Sequence, residues 1–217
     1  MNLSWDERYK GQEYAYGKAP NGFFKEWLKK FEAGSILMPA DGEGRNGVFA
    51  AKTGWKVTSF DLSAEGRSKA LQLAKEEQVS INYLVGDLQQ LDFPEESFDA
   101  VGLIYAHFAA DKKSMIHKEL STYLKPGGLI IFEAFGKQHV ELYRANPKVG
   151  GAMDVDMLFS KEEIMADFEN YDIFILEEEE IILNEGEYHI GKGSVIRFAG
   201  RKSKTPLKVK QQKSSAM

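Results

Sequence analysis

Residues 36–61 constrain the fold of this 217-residue chain more than any other segment. A short apolar run leads into Gly42-Glu43-Gly44, then into apolar residues at helical spacing, then into a second apolar run that ends at Asp61. This order predicts a strand, a glycine turn, a helix and a second strand. Glycine has no β-carbon, so the turn is able to approach a ligand closely. Asp61 follows Gly42 by about 20 residues, a separation at which an acid reaches ribose hydroxyls. The segment therefore predicts a cofactor that contains adenosine.

Composition narrows the class of protein. The chain is 43% hydrophobic and 28% charged, which is ordinary for a globular protein. It has no apolar run near the ~20 residues of a spanning helix, and its start lacks the apolar core of a secretory signal. We therefore expect a cytoplasmic protein with no membrane partner. The absence of cysteine excludes thiolate chemistry, and the four histidines lack metal-ligand spacing, so no metal is expected.

The net charge of −5 is unevenly distributed. Residues 202–217 contain five lysines and no acid, so the rest of the chain is more acidic than the total suggests. An acidic body argues against nucleic acid as a partner. We expect a small-molecule substrate, a monomer or weak homodimer, and a basic, disordered tail over residues 202–217.

Beyond the glycine turn the chain alternates between strands and helices. Helices are predicted over residues 23–34, 45–53, 63–77, 111–124 and 160–168. One strand is predicted to begin at residue 36, and others to span residues 56–60, 81–85, 98–105 and 129–135. Two consecutive strands, 171–183 and 188–201, then predict a terminal antiparallel hairpin. Residues 136–159 are predicted to be a loop long enough for a lid or substrate insertion. The pattern indicates one α/β domain over residues 1–201.

Two acids fall at predicted strand ends, where open α/β sheets bind ligands. Asp61 suits a ribose diol, and Asp87 suits an exocyclic amine, with the Leu88 N–H facing a ring nitrogen. The alternative for each acid is to cap the following helix. An aromatic-rich arm (residues 1–33) precedes them, and from the residues alone we expect its aromatic side chains to pack on the core rather than on a ligand.

Several motifs taken together resemble one enzyme family. They are Trp5-Asp6-Glu7-Arg8-Tyr9, Tyr16-Gly17-Lys18-Ala19-Pro20-Asn21, Gly42-Glu43-Gly44-Arg45-Asn46, His107 and Pro126-Gly127-Gly128. With the terminal hairpin, they make residues 4–201 similar to a class I S-adenosylmethionine-dependent methyltransferase of the branch that contains tellurite-resistance and thiopurine methyltransferases.

The resemblance implies a Rossmann-like seven-stranded sheet in the order 3-2-1-4-5-7-6, with strand 7 antiparallel and helices on both faces. It also implies that the aromatic arm closes over S-adenosylmethionine and that S-adenosylhomocysteine is the product. The cofactor-binding residues implied are Trp5, Tyr9, Tyr16, Ala40, Asp41, Gly42, Glu43, Gly44, Arg45, Asp61, Leu62, Asp87, Leu88, Tyr105 and Ala106.

The chain departs from the family near the turn. Met38 stands where the family usually has an acid, which removes an expected hydrogen-bond partner of the turn. Ala40 stands where a glycine is usual and permits close approach if its φ is negative. Asp41 occupies a position often filled by cysteine.

Methyl transfer to a soft acceptor, such as a thiol or an oxyanion, needs no strong general base, whereas a hydroxyl or amine acceptor needs one. His107 is the predicted catalytic base, since its ordinary pKa near 6.5 suits that role; the alternative is a histidine packed at a strand end. Arg144 and Lys148 are candidate contacts for an anionic substrate, although a solvated loop is preferred for them.

Two other functions fit the same residues. A nicotinamide-dependent oxidoreductase shares the strand, turn, helix and acid, and Gly42, Gly44 and Gly47 fit its glycine pattern. The second acid at Asp87 and the hairpin count against it. A non-catalytic binding module with a methyltransferase fold is favoured by Met38 and Ala40 and opposed by Asp61, Asp87 and His107.

Overall fold

The computed structural model describes residues 5–204, which form a seven-stranded sheet with helices on both faces. The strands are β1 (Ser35–Pro39), β2 (Lys56–Asp61), β3 (Asn82–Val85), β4 (Phe98–Ile104), β5 (Leu124–Phe135), β6 (Tyr171–Glu185) and β7 (His189–Lys202). The helices are α1 (Trp5–Tyr9), α2 (Gly22–Leu28), α3 (Arg45–Lys52), α4 (Ala64–Glu76), α5 (Lys113–Tyr123), α6 (His139–Ala145) and α7 (Lys161–Asp167). Of the basic tail predicted to be disordered over residues 202–217, Lys202 instead ends β7, and residues 205–217 lie outside the described residues.

The strand order is β3-β2-β1-β4-β5-β7-β6. Strands β1 to β5 run parallel, and β7 is antiparallel to both β5 and β6. Parallel neighbours need crossover helices, whereas β6 and β7 follow each other directly in a hairpin. The predicted sheet order and fold class are confirmed.

The central strands are apolar along their whole length because helices cover both faces of the sheet. Successive side chains of a strand alternate between faces. Leu37 accordingly packs in the apolar cluster on the α5 and α7 side, while Ile36 and Met38 pack in the cluster on the α2 side. This covering leaves the ends of the strands as the place where a ligand gains access. None of the helices within residues 5–204 is long and apolar enough to cross a membrane.

Two predicted regions differ from the structure. Strand β5 begins at Leu124, which pairs with Phe98, and its register with β4 is irregular before Leu129. Residues 125–128 follow the helix, as predicted, but they belong to the strand. The segment 136–159, predicted to be a loop, contains α6 and two 3-10 turns. It packs against the hairpin, where the Asn146 Nδ2 donates to the Ile190 carbonyl at 3.0 Å.

The hairpin extends past the end of the sheet. Strand β5 pairs with β7 only from Leu129–Arg201 to Phe135–Val195, whereas β6 and β7 remain paired as far as Glu185 and His189. Residues 189–194 of β7 therefore lie beyond the carboxyl end of β5. The tip of the hairpin reaches the N-terminal segment, where the Glu187 N–H donates to the Ala15 carbonyl at 2.9 Å.

Candidate active site

A cavity of about 300 Å³ lies at the carboxyl ends of the central strands. This is the edge at which open α/β sheets bind ligands, and the volume is at the lower end for small-molecule sites. Most of the predicted site residues line it: Trp5, Tyr9, Tyr16, Ala40, Asp41, Gly42, Glu43, Arg45, Asp61, Leu62, Asp87, Leu88, Tyr105 and His107.

Two predicted residues, Gly44 and Ala106, do not line the cavity. Gly44 has a φ of +81° and precedes α3, and a β-carbon there would lie 2.5 Å from the Ala70 β-carbon. Its glycine is required by the turn and by packing of α3 against α4. Ala106 is buried in the apolar cluster that contains Leu37 and Phe132.

Two acids hold the glycine turn in place. The Gly42 N–H donates to Asp61 Oδ2 at 3.0 Å, and the Gly47 N–H donates to Asp41 Oδ1 at 3.3 Å. The Gly47 N–H belongs to the first turn of α3, where such donors lack a partner within the helix. The loss of hydrogen bonding expected from Met38 is therefore wrong, because Asp41 and Asp61 supply partners while Met38 packs in the core.

Burial controls the ionisation of Asp41. The carboxyl group also accepts a hydrogen bond from Ser59 Oγ at 2.7 Å. Desolvation nevertheless outweighs this bond and the bond from Gly47, and it raises the pKa of Asp41 to about 7. Burial also raises the pKa of Asp61 from its ordinary value. The base of the turn thus holds one carboxyl group that is partly protonated near neutral pH.

Strained backbone lies at the ends of two neighbouring strands. Ala40 follows β1 and Tyr105 follows β4, and each has a φ of +51°. This left-handed conformation is unfavourable for residues that carry a β-carbon. The condition stated for close approach at Ala40, a negative φ, is therefore not met. Both residues line the cavity, and strain of this kind is typical of functional sites.

Asp61 and Asp87 occupy the tips of adjacent strands. Asp61 Oδ1 accepts the Ser63 N–H at 2.9 Å. Because a carboxylate has about four acceptor positions, Asp61 retains acceptors for a ligand after its two backbone bonds. Helix α4 is capped instead by Ser63, whose Oγ accepts the Gly66 N–H at 2.9 Å, so the capping alternative for Asp61 is wrong. Asp87 precedes a 3-10 turn (Leu88–Gln90), a position that fits its capping alternative.

The N-terminal aromatic residues cover the cavity. Trp5 stacks between Tyr9 and His107, with ring centroids 5.7 Å and 6.2 Å away. Tyr9 and Tyr16 also line the cavity, and Tyr9 is buried as well, so these three side chains lie on the wall of the cavity. The expected core packing holds for Tyr14, which is buried against α3 and α4.

Asp6 fixes the N-terminal segment to α4. Its Oδ1 accepts from Ser63 Oγ at 2.5 Å and from the Glu65 N–H at 3.2 Å, at the start of that helix. The neighbouring Arg8 guanidinium lies 4.0 Å from the centre of the Tyr188 ring. Contacts to α4 and to the hairpin therefore position Trp5 over the cavity.

His189 completes the wall of the cavity and was missed by the sequence analysis. Glu185 Oε2 lies 2.9 Å from both the His189 Nδ1 and an Arg45 guanidinium nitrogen. The His189 ring lies 4.6 Å from the rings of Tyr16 and Tyr105. Burial opposes ionisation of Glu185, but its bonds to His189 and Arg45 outweigh it and lower its pKa to about 2. The sequence predicted the lengths of the two hairpin strands, but it did not predict that the tip of the hairpin reaches the cavity.

His107 lines the cavity as predicted, but its ionisation differs from the expectation. Burial, and then the charges of His189 and Arg8, lower the pKa of His107 to about 4. The ring is neutral at pH 7 and a weak proton acceptor, so the expected pKa near 6.5 is wrong. The connection after β4 adds Phe108, Ala109 and Lys112 to the wall, and helix α5 adds Ile116.

The 136–159 segment does not contribute to the wall of the cavity, so the predicted lid or substrate insertion is not found at this site. Arg144 is exposed and pairs with Glu141 at 2.5 Å, and Lys148 also lies away from the cavity. The packing of α6 on the hairpin explains why the segment lies elsewhere.

The donor chemistry of the wall fits S-adenosylmethionine. Glu43 Oε2 is buried without a hydrogen-bond partner, while Glu43 Oε1 pairs with Lys69 at 2.6 Å. Such an unsatisfied buried acceptor is costly unless a ligand supplies a donor. Asp61 and Asp87 add acceptors at the other strand ends. Within residues 5–204, no group of three or more His, Asp or Glu side chains is arranged to hold a metal ion.

The sheet order and the helices around it match the class I methyltransferase fold. Residues 37–132 match the sequence model of a family described as a methyltransferase domain. A 2-methyl-6-phytyl-1,4-hydroquinone methyltransferase of Synechocystis is 31% identical over 88 residues, which are 41% of this chain and 27% of that protein. The chain spans less than half of the length of other curated relatives that it matches.

Solved structures are similar over most of the chain. A protein described in the conversion of a disulfide bond into a thioacetal group during echinomycin biosynthesis is 18% identical, with a TM-score of 0.72 covering 93% of this chain and 90% of that one. Magnesium protoporphyrin IX methyltransferase of Synechocystis, solved with bound S-adenosylhomocysteine, is 16% identical, with a TM-score of 0.64 covering 82% and 80%. At these identities the likeness establishes the fold.

Proposed function

We propose that this protein transfers a methyl group from S-adenosylmethionine to a small-molecule acceptor. The proposal rests on one observation: Asp61 and Asp87 lie at adjacent strand tips on the wall of one cavity, beside the glycine turn. The methyltransferase-domain match over residues 37–132, which includes the turn and both acids, supports it.

Each part of the cofactor has a complementary region of the wall. Asp61 accepts hydrogen bonds from the ribose, while Asp87 and the Leu88 N–H bind the adenine. The unsatisfied oxygen of Glu43 and the glycine turn receive the methionine portion. Trp5 and Tyr16 exclude water from it. The remaining cofactor contacts come from Tyr9, Ala40, Asp41, Gly42, Arg45, Leu62 and Tyr105, whereas Gly44 and Ala106 do not line the cavity and are not proposed as contacts.

The protein's own contribution to the reaction is alignment and exclusion of water. When bound, S-adenosylmethionine supplies a methyl group on a positively charged sulfur, which keeps the electron pair of the broken bond and becomes the thioether of S-adenosylhomocysteine. His107 is neutral at pH 7 and too weak a base to remove a proton from an amine or alcohol. An acceptor that is already deprotonated, such as a thiolate or an oxyanion, is therefore favoured, and His107 contacts it.

The finer assignments rest on the sequence. The N-terminal motifs around Trp5 and Tyr16 support the branch that contains tellurite-resistance and thiopurine methyltransferases. We further propose one domain over residues 1–201, a cytoplasmic location, and a monomer or weak homodimer that binds neither nucleic acid nor membrane.

The test is a calorimetric titration of the purified protein with S-adenosylmethionine, S-adenosylhomocysteine and NADH. We expect micromolar binding of the first two and none of NADH. Asp87→Ala should weaken binding about tenfold or more, because the variant loses the acceptor proposed to bind the adenine amine. Asp172→Ala, at an exposed position of β6, is the matched control and should bind as the wild type does.

Each alternative function has its own result in this titration. Binding of NADH without S-adenosylhomocysteine would identify an oxidoreductase. Binding of S-adenosylhomocysteine without methyl transfer to any acceptor in a thiol and oxyanion panel would support a non-catalytic module. Binding of none of the three would contradict the proposal.

A further inference from the structure

The cavity has two chemically different halves. The ends of β1, β2 and β3 contribute Asp41, Glu43, Asp61 and Asp87, the part assigned above to the cofactor. The connection from β4 to α5 contributes His107 and Phe108, helix α5 contributes Ile116, and Trp5 stacks on His107. This second half is apolar and aromatic, and it is the part left for an acceptor.

The positively charged side chains on the wall differ in whether they have an ion-pair partner. Arg45 is buried and pairs with Glu185 at 2.9 Å, so its charge serves the hairpin contact. Lys112 is exposed at the rim of the apolar half, and within residues 5–204 its ammonium has no ion pair or side-chain hydrogen bond. Two lysines of helix α5, which Lys112 immediately precedes, are different: Lys113 is buried and donates to the Leu158 carbonyl, and Lys118 lies outside the cavity.

An unpaired cation on the wall of an otherwise apolar half-cavity favours one class of ligand. Electrostatic complementarity contributes most to specificity, since it discriminates against neutral and positively charged competitors. The acidic residues lie in the other half, so an anion in the apolar half avoids direct contact with them. An apolar body would pack against Phe108 and Ile116 while its charged end remains near the rim.

We propose that Lys112 binds the negative group of the methyl acceptor, and that this half of the cavity selects small organic acids with an aromatic or apolar body. The identification of this ligand as the methyl acceptor rests on the proposed function. The anion site itself rests only on the wall of the cavity. Lys112 is a binding residue that determines specificity, and methyl transfer does not require its proton.

The experiment compares 3-phenylpropionate with the neutral 3-phenylpropionamide, two probes of nearly equal shape. Each is titrated into the full chain by calorimetry, without cofactor and again with saturating S-adenosylhomocysteine. We expect the wild type to bind the acid about twofold to fivefold more tightly than the amide, the range for an exposed charge pair. The preference should shrink when salt is raised, because salt screens exposed charges.

Lys112→Met removes the charge and keeps the length of the apolar stem. We expect it to bind the acid only as well as the amide, with unchanged affinity for the amide. Lys118→Met makes the same charge change on helix α5, outside the cavity, and should keep the preference. Equal binding of acid and amide by the wild type, a preference that survives in Lys112→Met, or no binding of either probe would overturn the proposal.

The two proposals fail in different ways. If S-adenosylhomocysteine does not bind but Lys112→Met abolishes the preference for the acid, the anion site stands and methyl transfer is wrong. If S-adenosylhomocysteine binds but neither protein distinguishes acid from amide, the cofactor site stands and the role of Lys112 is wrong.

Discussion

A single buried carboxyl group, that of Asp41, sets part of the pH dependence of stability. Its pKa is about 7 in the folded chain and 3.8 as an ordinary carboxyl, so between these values the folded state binds a proton that the unfolded state does not. Stability therefore falls as pH rises through this window. Asp41 performs a capping role for α3, because Gly44 before that helix has no side chain.

We expect Asp41→Asn to remove this pH dependence. The amide oxygen is able to accept the Gly47 N–H, and its nitrogen is able to donate to Ser59, so the shape and bonds are retained. The stability of the variant relative to the wild type should increase by about 2 kcal/mol between pH 5 and pH 7.5. Urea unfolding of both proteins at the two pH values measures it, and a constant difference would contradict the pKa assigned to Asp41.

Ala40 gives a second prediction at the scale of one residue. Its φ of +51° strains a residue with a β-carbon, and glycine removes the strain at the cost of some entropy in the unfolded chain. Ala40→Gly should stabilise the fold by about 0.5–1 kcal/mol. Ala145→Gly, at the exposed end of α6, should instead destabilise it, because no positive φ occurs there. Denaturant midpoints that move in the same direction for both variants would argue against the strain.

At the scale of elements, the hairpin tip is held to the glycine turn by one carboxylate. Glu185→Gln should destabilise the chain by about 2–3 kcal/mol at pH 7, because it leaves the buried Arg45 charge without its partner. The pKa of Glu185 is lowered to about 2, so the wild type has this stability above about pH 4.5 and loses it as pH falls towards 2.

A matched variant lies on the same strand. Glu180 pairs with Lys192, and both side chains are about half exposed. Glu180→Gln should change stability by less than about 0.5 kcal/mol. Chemical unfolding at pH 7 of both variants tests the contrast, and equal losses would mean that the Arg45 contact is no stronger than a surface pair.

The hairpin also shows which features of the structure cannot be predicted from local sequence patterns. Strand and helix periodicity predicted the hairpin and its strand lengths, because burial imposes those periods on local sequence. The approach of Glu185 to Arg45 joins residues that are far apart in the chain, and no local pattern encodes it.

Burial also shifts pKa values in ways that a sequence does not reveal, which is why the pKa of His107 was expected near 6.5. The acids Asp61 and Asp87 were placed correctly because the ends of parallel strands always meet at one edge of the sheet.

At the scale of the whole molecule, a ligand that binds only the folded state must raise the melting temperature. With S-adenosylhomocysteine at about 100 times its dissociation constant, stability should increase by about 2.7 kcal/mol. For a chain of this size that corresponds to a rise of about 5–10 °C. Differential scanning calorimetry measures it. Asp172→Ala should show the full rise, and Asp87→Ala, at the same ligand concentration, a smaller one.

The contact between the hairpin tip and the N-terminal segment has a consequence for how the site comes into being. Trp5, Tyr9 and Tyr16 are made by the ribosome before the glycine turn, and Glu185 and His189 are made after every other strand of the sheet has been synthesised. A nascent chain that has folded β1 to β4 already has its two strand-tip acids, but one wall of the cavity is still open. Because domains fold as units during synthesis, we expect the proposed ligand to bind tightly only after the β6–β7 hairpin has been translated.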